Sequence, residues 1–197
     1  MKHLVLGLLL AALQLACGIA RAQPLNLGHV QAVYPGNRTI SFFYPTLAAE
    51  TTQQRGPFTL SWAADGMPAP TKDKRRLIVI SHGSGGVFWV HTDLARALVQ
   101  RGFVVVVPQH AGDSLGDDAE PGPESWKRRP AEVSRAIDVA LAMPLFLDTL
   151  DPDQVGVFGG SAGGHTALSM AGGVWSPARF RDHCLANIEA DFSSCVG

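Results

Sequence analysis

Three nearly unbroken apolar runs, Leu77–Ile80, Phe103–Val107 and Val155–Phe158, stand out from a mixed pattern of hydrophobic and polar positions. They do not alternate with polar residues, so they read as strands covered on both faces, as in a parallel sheet. The third strand is taken to begin at Gln154. Helical patterns accompany them. Thr92–Gln100 places Leu94, Leu98 and neighbouring alanines on one stripe, with Gly102 as its stop. Pro130–Leu141 opens on a proline and repeats Val133, Ile137 and Leu141 at fourfold spacing. Ser161–Ala171 follows the third run. Strands alternating with helices predict an α/β fold around a mainly parallel sheet with right-handed crossovers.

Upstream, from Gly28 to Tyr44, two β-prone runs flank a turn. His29–Tyr34 and Thr39–Tyr44 read as a hairpin turning at Pro35-Gly36-Asn37, and Pro45 is expected to end its second strand. This hairpin would be the antiparallel edge of the sheet. Residues 46–74 are turn-rich with one apolar patch, Phe58–Trp62, and residues 109–129 read as a polar surface loop. No internal repeat is present.

The first residues belong to a different class. Lys2 and His3 precede an apolar run from Leu4 to Ala16, and Ala20-Arg21-Ala22 offers small residues at the cleavage positions. This predicts a secretory signal peptide over residues 1–22, cleaved after Ala22, and a mature domain from residue 23 to 197. The run is shorter than the roughly 20 residues a membrane span needs. Cys17 raises lipid attachment, but Gln14 stands where that signal wants an aliphatic residue. The expected location is periplasmic or extracellular.

Composition fits that picture. Hydrophobic residues make up 46% and charged residues 17%, a globular balance. Cleavage would remove Lys2 and Arg21 and no acid, leaving a mildly acidic product. No basic cluster points to nucleic acid. Lys74-Arg75-Arg76 and Lys127-Arg128-Arg129 read as solvated charges. Loss of Cys17 leaves Cys184 and Cys195, an even pair in an oxidising compartment and hence the candidate disulfide.

Chemistry enters at Gly159-Gly160-Ser161-Ala162-Gly163, a G-x-S-x-G motif lying between an apolar strand and a helix rich in small residues. A nucleophile elbow requires that setting, because a strained turn lifts the serine hydroxyl above the sheet while both flanking positions must lack a side chain. Ser161 is the candidate nucleophile. Ser81-His82-Gly83-Ser84-Gly85-Gly86 directly follows the first buried strand, where a glycine-rich loop can offer backbone N–H groups. The oxyanion donors are assigned to the amides of Ser84 and Ala162. The same loop lacks the Lys-Ser/Thr ending of a nucleotide P-loop.

Four segments together carry a family resemblance: Ile80–Gly86, Pro108-Gln-His-Ala-Gly-Asp113, Arg129-Pro130 and Val157–Gly164. On these the chain resembles exported bacterial α/β-hydrolases of the dienelactone-hydrolase-like group, akin to platelet-activating-factor acetylhydrolases. The resemblance spans most of the chain from about Val33. It implies hydrolysis of a small-molecule ester through an acyl-enzyme, without metal or organic cofactor; oligomeric state is left open.

The triad itself is not legible. In this fold the order is nucleophile, acid, histidine; besides His165, which lies in the helix right after Ser161, residues 162–197 hold only Asp182, His183, Glu189 and Asp191 of those types. His165 reads as a packed helix residue, His82 as a structural partner of the loop, His110 as a loop residue near the site, and His183 as a neighbour of Cys184. None is assigned as base. The sequence is therefore expected to be incomplete on its C-terminal side. Two other readings stay open: a non-catalytic exported binding protein on the same fold, and a serine peptidase.

Overall fold

The structure is a computed structural model that describes residues 24–34 and 38–196. The predicted signal peptide, residues 1–22, and the expected turn Pro35-Gly36-Asn37 lie outside the described residues. Seven strands form one sheet: β1 Asn26–Tyr34, β2 Arg38–Thr46, β3 Thr51–Arg55, β4 Phe58–Ala64, β5 Arg75–Ser81, β6 Val104–Pro108 and β7 Leu150–Gly159. Their order is β3-β4-β1-β2-β6-β5-β7. The carboxyl side of the sheet is parallel, with β6 and β7 flanking β5. The β1–β2 hairpin joins it through an antiparallel β2–β6 pairing.

The unbroken apolar runs now have a cause. Val104 and Val106 face one core with Leu77, Val79, Phe42 and Tyr44, while Val105 and Val107 face another with Ile80 and Phe43. Each strand still alternates, but helices cover both sides. Helix α1, Thr92–Val99, seals the second core with Ala95 and Val99. Helix α2, Pro123–Ala142, seals the first with Val133, Ala136 and Ala140. Helix α3, Ala162–Met170, lies on the α2 side, where Met170 packs against the first core. Two short helices close the chain, α4 Pro177–Asn187 and α5 Phe192–Val196. Among the described residues no helix is long and apolar enough to cross a membrane.

Several boundaries depart from the sequence reading. Helix α2 starts at Pro123, so residues 123–129 are not loop and Pro130 sits inside the helix. Its first turns bury Ser125 and Arg129, polar residues that leave no apolar period to detect. Strand β3, Thr-Thr-Gln-Gln-Arg, is an exposed edge whose polarity hides it. It forms a hairpin with β4 through Gly56, whose φ of 57° favours glycine. Pro45 lies within β2 rather than ending it, paired in register with Leu27.

Candidate active site

The elbow is formed where β7 passes into α3. Ser161 holds φ 54° and ψ −125°, a conformation that residues with a side chain seldom adopt. It is stabilised from both ends. The Ser161 carbonyl accepts from the amides of Gly164 at 2.8 Å and His165 at 3.2 Å, which starts the helix. A β-carbon on Gly159 would collide with the Gly163 carbonyl, and one on Gly163 would collide with the carbonyl of Ser81. Two side chains are therefore excluded by backbone. By contrast, a β-carbon on Gly160 would meet nothing within 4 Å. The turn leaves Ser161 exposed.

Strand pairing brings the glycine-rich loop to this turn. Ser81, the last residue of β5, is in register with Gly159 of β7. The loop begins at once, and a β-carbon on Gly83 would lie 3.5 Å from Ser161 Cβ. Three groups converge on the Gly83 carbonyl: the Gly86 amide at 3.1 Å, His82 Nδ1 at 2.7 Å and Arg129 Nη2 at 3.5 Å. A trans peptide points its N–H opposite its C=O. The Ser84 amide thus faces away from all three. Among the described residues neither the Ser84 nor the Ala162 amide has an acceptor.

Behind the loop lies a charged network that the sequence reading missed. Arg129, wholly buried, donates from Nη1 to the His82 carbonyl at 2.5 Å and from Nη2 to Asp113 Oδ2 at 2.7 Å. Asp113 Oδ1 accepts from the Ser84 hydroxyl at 2.5 Å and from the Gly85 amide at 2.9 Å. Burial pushes the Asp113 carboxyl up, but Ser84, Gly85 and Arg129 outweigh it and hold the group below the ordinary carboxylate value. Arg75 is also buried, donating to the Ala69 carbonyl at 2.6 Å. Neither Arg75 nor Arg129 is a solvated charge. Two of the segments that carried the family resemblance, Pro108–Asp113 and Arg129-Pro130, are the ones that meet here; that was the available signal.

A second buried group has the form of a triad without its access. His110 Nδ1 lies 2.7 Å from Glu132 Oε2, and its Nε2 lies 2.8 Å from Ser81 Oγ. Burial drives the His110 pKa down despite the Glu132 carboxylate, so the neutral ring donates to Glu132 and accepts from the Ser81 hydroxyl. Ser81 and His110 are inaccessible to solvent. The group ties the ends of β5 and β6 to α2. Arg38 covers its outer side, 3.0 Å from Glu132 Oε1.

The other histidines are placed as follows. His82 is buried, with its pKa lowered to about 3 mainly by burial and then by His110. His29 is buried among Phe43, Trp62 and Phe88 with its pKa lowered to about 4, by burial and then by Arg55. His165 packs beside Trp126. Exposed His183 meets Asp191 at 3.0 Å. Among the described residues no histidine ring is hydrogen-bonded to the Ser161 hydroxyl. Cys184 and Cys195 are joined in a disulfide linking α4 to α5, with Cα atoms 5.4 Å apart. The grouping His183–Asp191–Cys195 consequently offers no thiolate to a metal.

No protein-family model matches the chain, and no curated protein matches it. Among solved structures it is similar to a ferulic acid esterase from Streptomyces cinnamoneus, with TM-score 0.59, 20% identity and 78% of this chain covered. The chain has the α/β-hydrolase fold. At that identity the likeness establishes the fold alone, and the chain spans 57% of the esterase's length. A puromycin-hydrolysing peptidase from Mycobacterium tuberculosis is more distant, with TM-score 0.48, 17% identity, and 78% of this chain but 22% of its own covered. On this fold, β7, α3 and the loop after β5 are the elements that carry Ser161, Ala162 and Ser84.

Proposed function

We propose that this chain carries the nucleophile and oxyanion elements of an exported serine hydrolase acting on carboxylic esters, in the dienelactone-hydrolase-like group. The observation that carries the reading is the strained Ser161 backbone, held by two glycines that admit no side chain. Ser161 Oγ attacks the ester carbonyl and its proton passes to a general base. The tetrahedral oxyanion is taken by the Ser84 and Ala162 amides, each worth about 3 kcal/mol of barrier in comparable sites. Collapse releases the alcohol, which receives the proton; water then repeats the sequence on the acyl-enzyme and frees the acid. No metal or organic cofactor is needed for this chemistry.

The base and its orienting acid are proposed to come from a segment following α5, in the order nucleophile, acid, histidine. Two features support this: β7 has no described partner strand on its outer side, and Phe158 within β7 and Leu168 and Val174 after it are exposed apolar side chains. The test uses the full gene product, with any coding sequence beyond codon 197. It should label with a fluorophosphonate and turn over short acyl esters but not peptide amides, with both signals lost in Ser161→Ala. Amide turnover would favour the peptidase reading. Absence of labelling would favour the non-catalytic binding protein, which the unpartnered Ser161 also suits.

A further inference from the structure

We infer that Arg129 and Asp113 are positioning residues that hold the 82–86 loop in the orientation its amides need to stabilise an oxyanion; this rests on the acyl-hydrolase reading above. The loop has little of its own to fix it. It contains three glycines, and Gly85 has a φ of 64°. Left to itself it would sample many conformations. Its two ends of approach are instead pinned by one buried ion pair.

The contacts divide the loop cleanly. Arg129 reaches the carbonyl oxygens of His82 and Gly83, at 2.5 and 3.5 Å. Asp113 reaches the donors that follow, the Ser84 hydroxyl and the Gly85 amide. The two are joined to each other at 2.7 Å, and Ser125 Oγ accepts from Arg129 Nε at 3.2 Å. A guanidinium is a rigid planar fork, so carbonyls bound to it cannot rotate independently. With those carbonyls turned toward Arg129, the trans amides of Gly83 and Ser84 are turned away from it. The Asp113 carboxylate meanwhile captures the Gly85 amide and Gly86 donates to the Gly83 carbonyl, so the Ser84 amide, like that of Gly83, is not spent within the loop. Neither Arg129 nor Asp113 needs to touch substrate, and both are buried.

The test separates this role from simple stability. In the full gene product, the ratio of kcat/KM for an ester over its thionoester measures how well amides discriminate oxygen from sulfur in the oxyanion. Asp113→Asn and Arg129→Lys are expected to lower kcat about 10- to 100-fold with KM nearly unchanged, and to shrink that ratio toward unity. Ser84→Ala, which removes one of the two loop donors to Asp113 and keeps the Ser84 amide, should give a smaller loss in the same direction. Ser161-dependent turnover with the ratio unchanged in all three variants would overturn the inference and leave the hydrolase reading standing. Turnover that survives Ser161→Ala would sink the hydrolase reading instead. The clamp is then judged by hydrogen exchange in the 197-residue chain: Asp113→Asn should speed exchange of the Gly85 amide at least tenfold and leave β7 unaltered. Equal exchange at Gly85 would refute it.

Discussion

The two halves of the candidate site are held by opposite means. The loop after β5 is backed by buried charge: Arg129 against Asp113, with Glu132, His110 and His82 packed behind. The elbow after β7 is held by the absence of side chains, Gly159 and Gly163 allowing backbone to meet backbone. The first half should therefore respond to charge and acid, the second only to size. It also follows that the loop is held by side chains distant in sequence, while the elbow needs only glycines lying within five positions of one another.

The largest effect should come from breaking the charged half. Arg129→Met leaves Asp113 buried without its partner and should cost about 3–5 kcal/mol in urea unfolding. Next comes the steric half. Gly163→Ala, which places a methyl on the Ser81 carbonyl, should cost about 3 kcal/mol, at the upper end of ordinary overpacking. A measured cost below about 1 kcal/mol would show that backbone does not meet backbone at Gly163.

Acid should distinguish the halves further. His82 is neutral in the fold with a pKa near 3 and titrates at its ordinary 6.5 when unfolded. The unfolded chain thus binds more protons between those values, so stability is present above pH 6.5 and lost as pH falls toward 3, by about 1.4 kcal/mol per unit. His29 adds loss of the same sign down to about 4. Asp113 and Glu132, held low by their partners, add more below the ordinary carboxylate range. Urea midpoints measured from pH 7 to 4 should fall, and His82→Gln should flatten the slope; an unchanged slope would contradict the placement of His82. The smallest effect is Gly160→Ala, expected within about 0.5 kcal/mol of wild type because nothing lies nearby.

The same contrast explains what sequence could reveal. The parallel core is legible because strands covered on both faces become pure apolar runs, and the elbow because its geometry forces glycine at two fixed positions. The start of α2 is hidden, since Ser125 and Arg129 are buried for polar reasons. Arg129 looks like a solvated charge beside Lys127 and Arg128 because its partner lies 16 residues away in an irregular loop. Ion pairs of that kind leave no period. His110 reads as a loop residue for a similar reason: Glu132 meets it only after α2 folds back.

Whether the Ser161 hydroxyl and the two unclaimed amides face one shared point is decided most directly by a crystal structure of the phosphonylated full-length protein. The phosphonyl oxygen is expected at about 2.7–3.1 Å from both the Ser84 and Ala162 nitrogens. An adduct on Ser161 whose oxygen points into solvent, with the 83–85 amides turned elsewhere, would contradict the account.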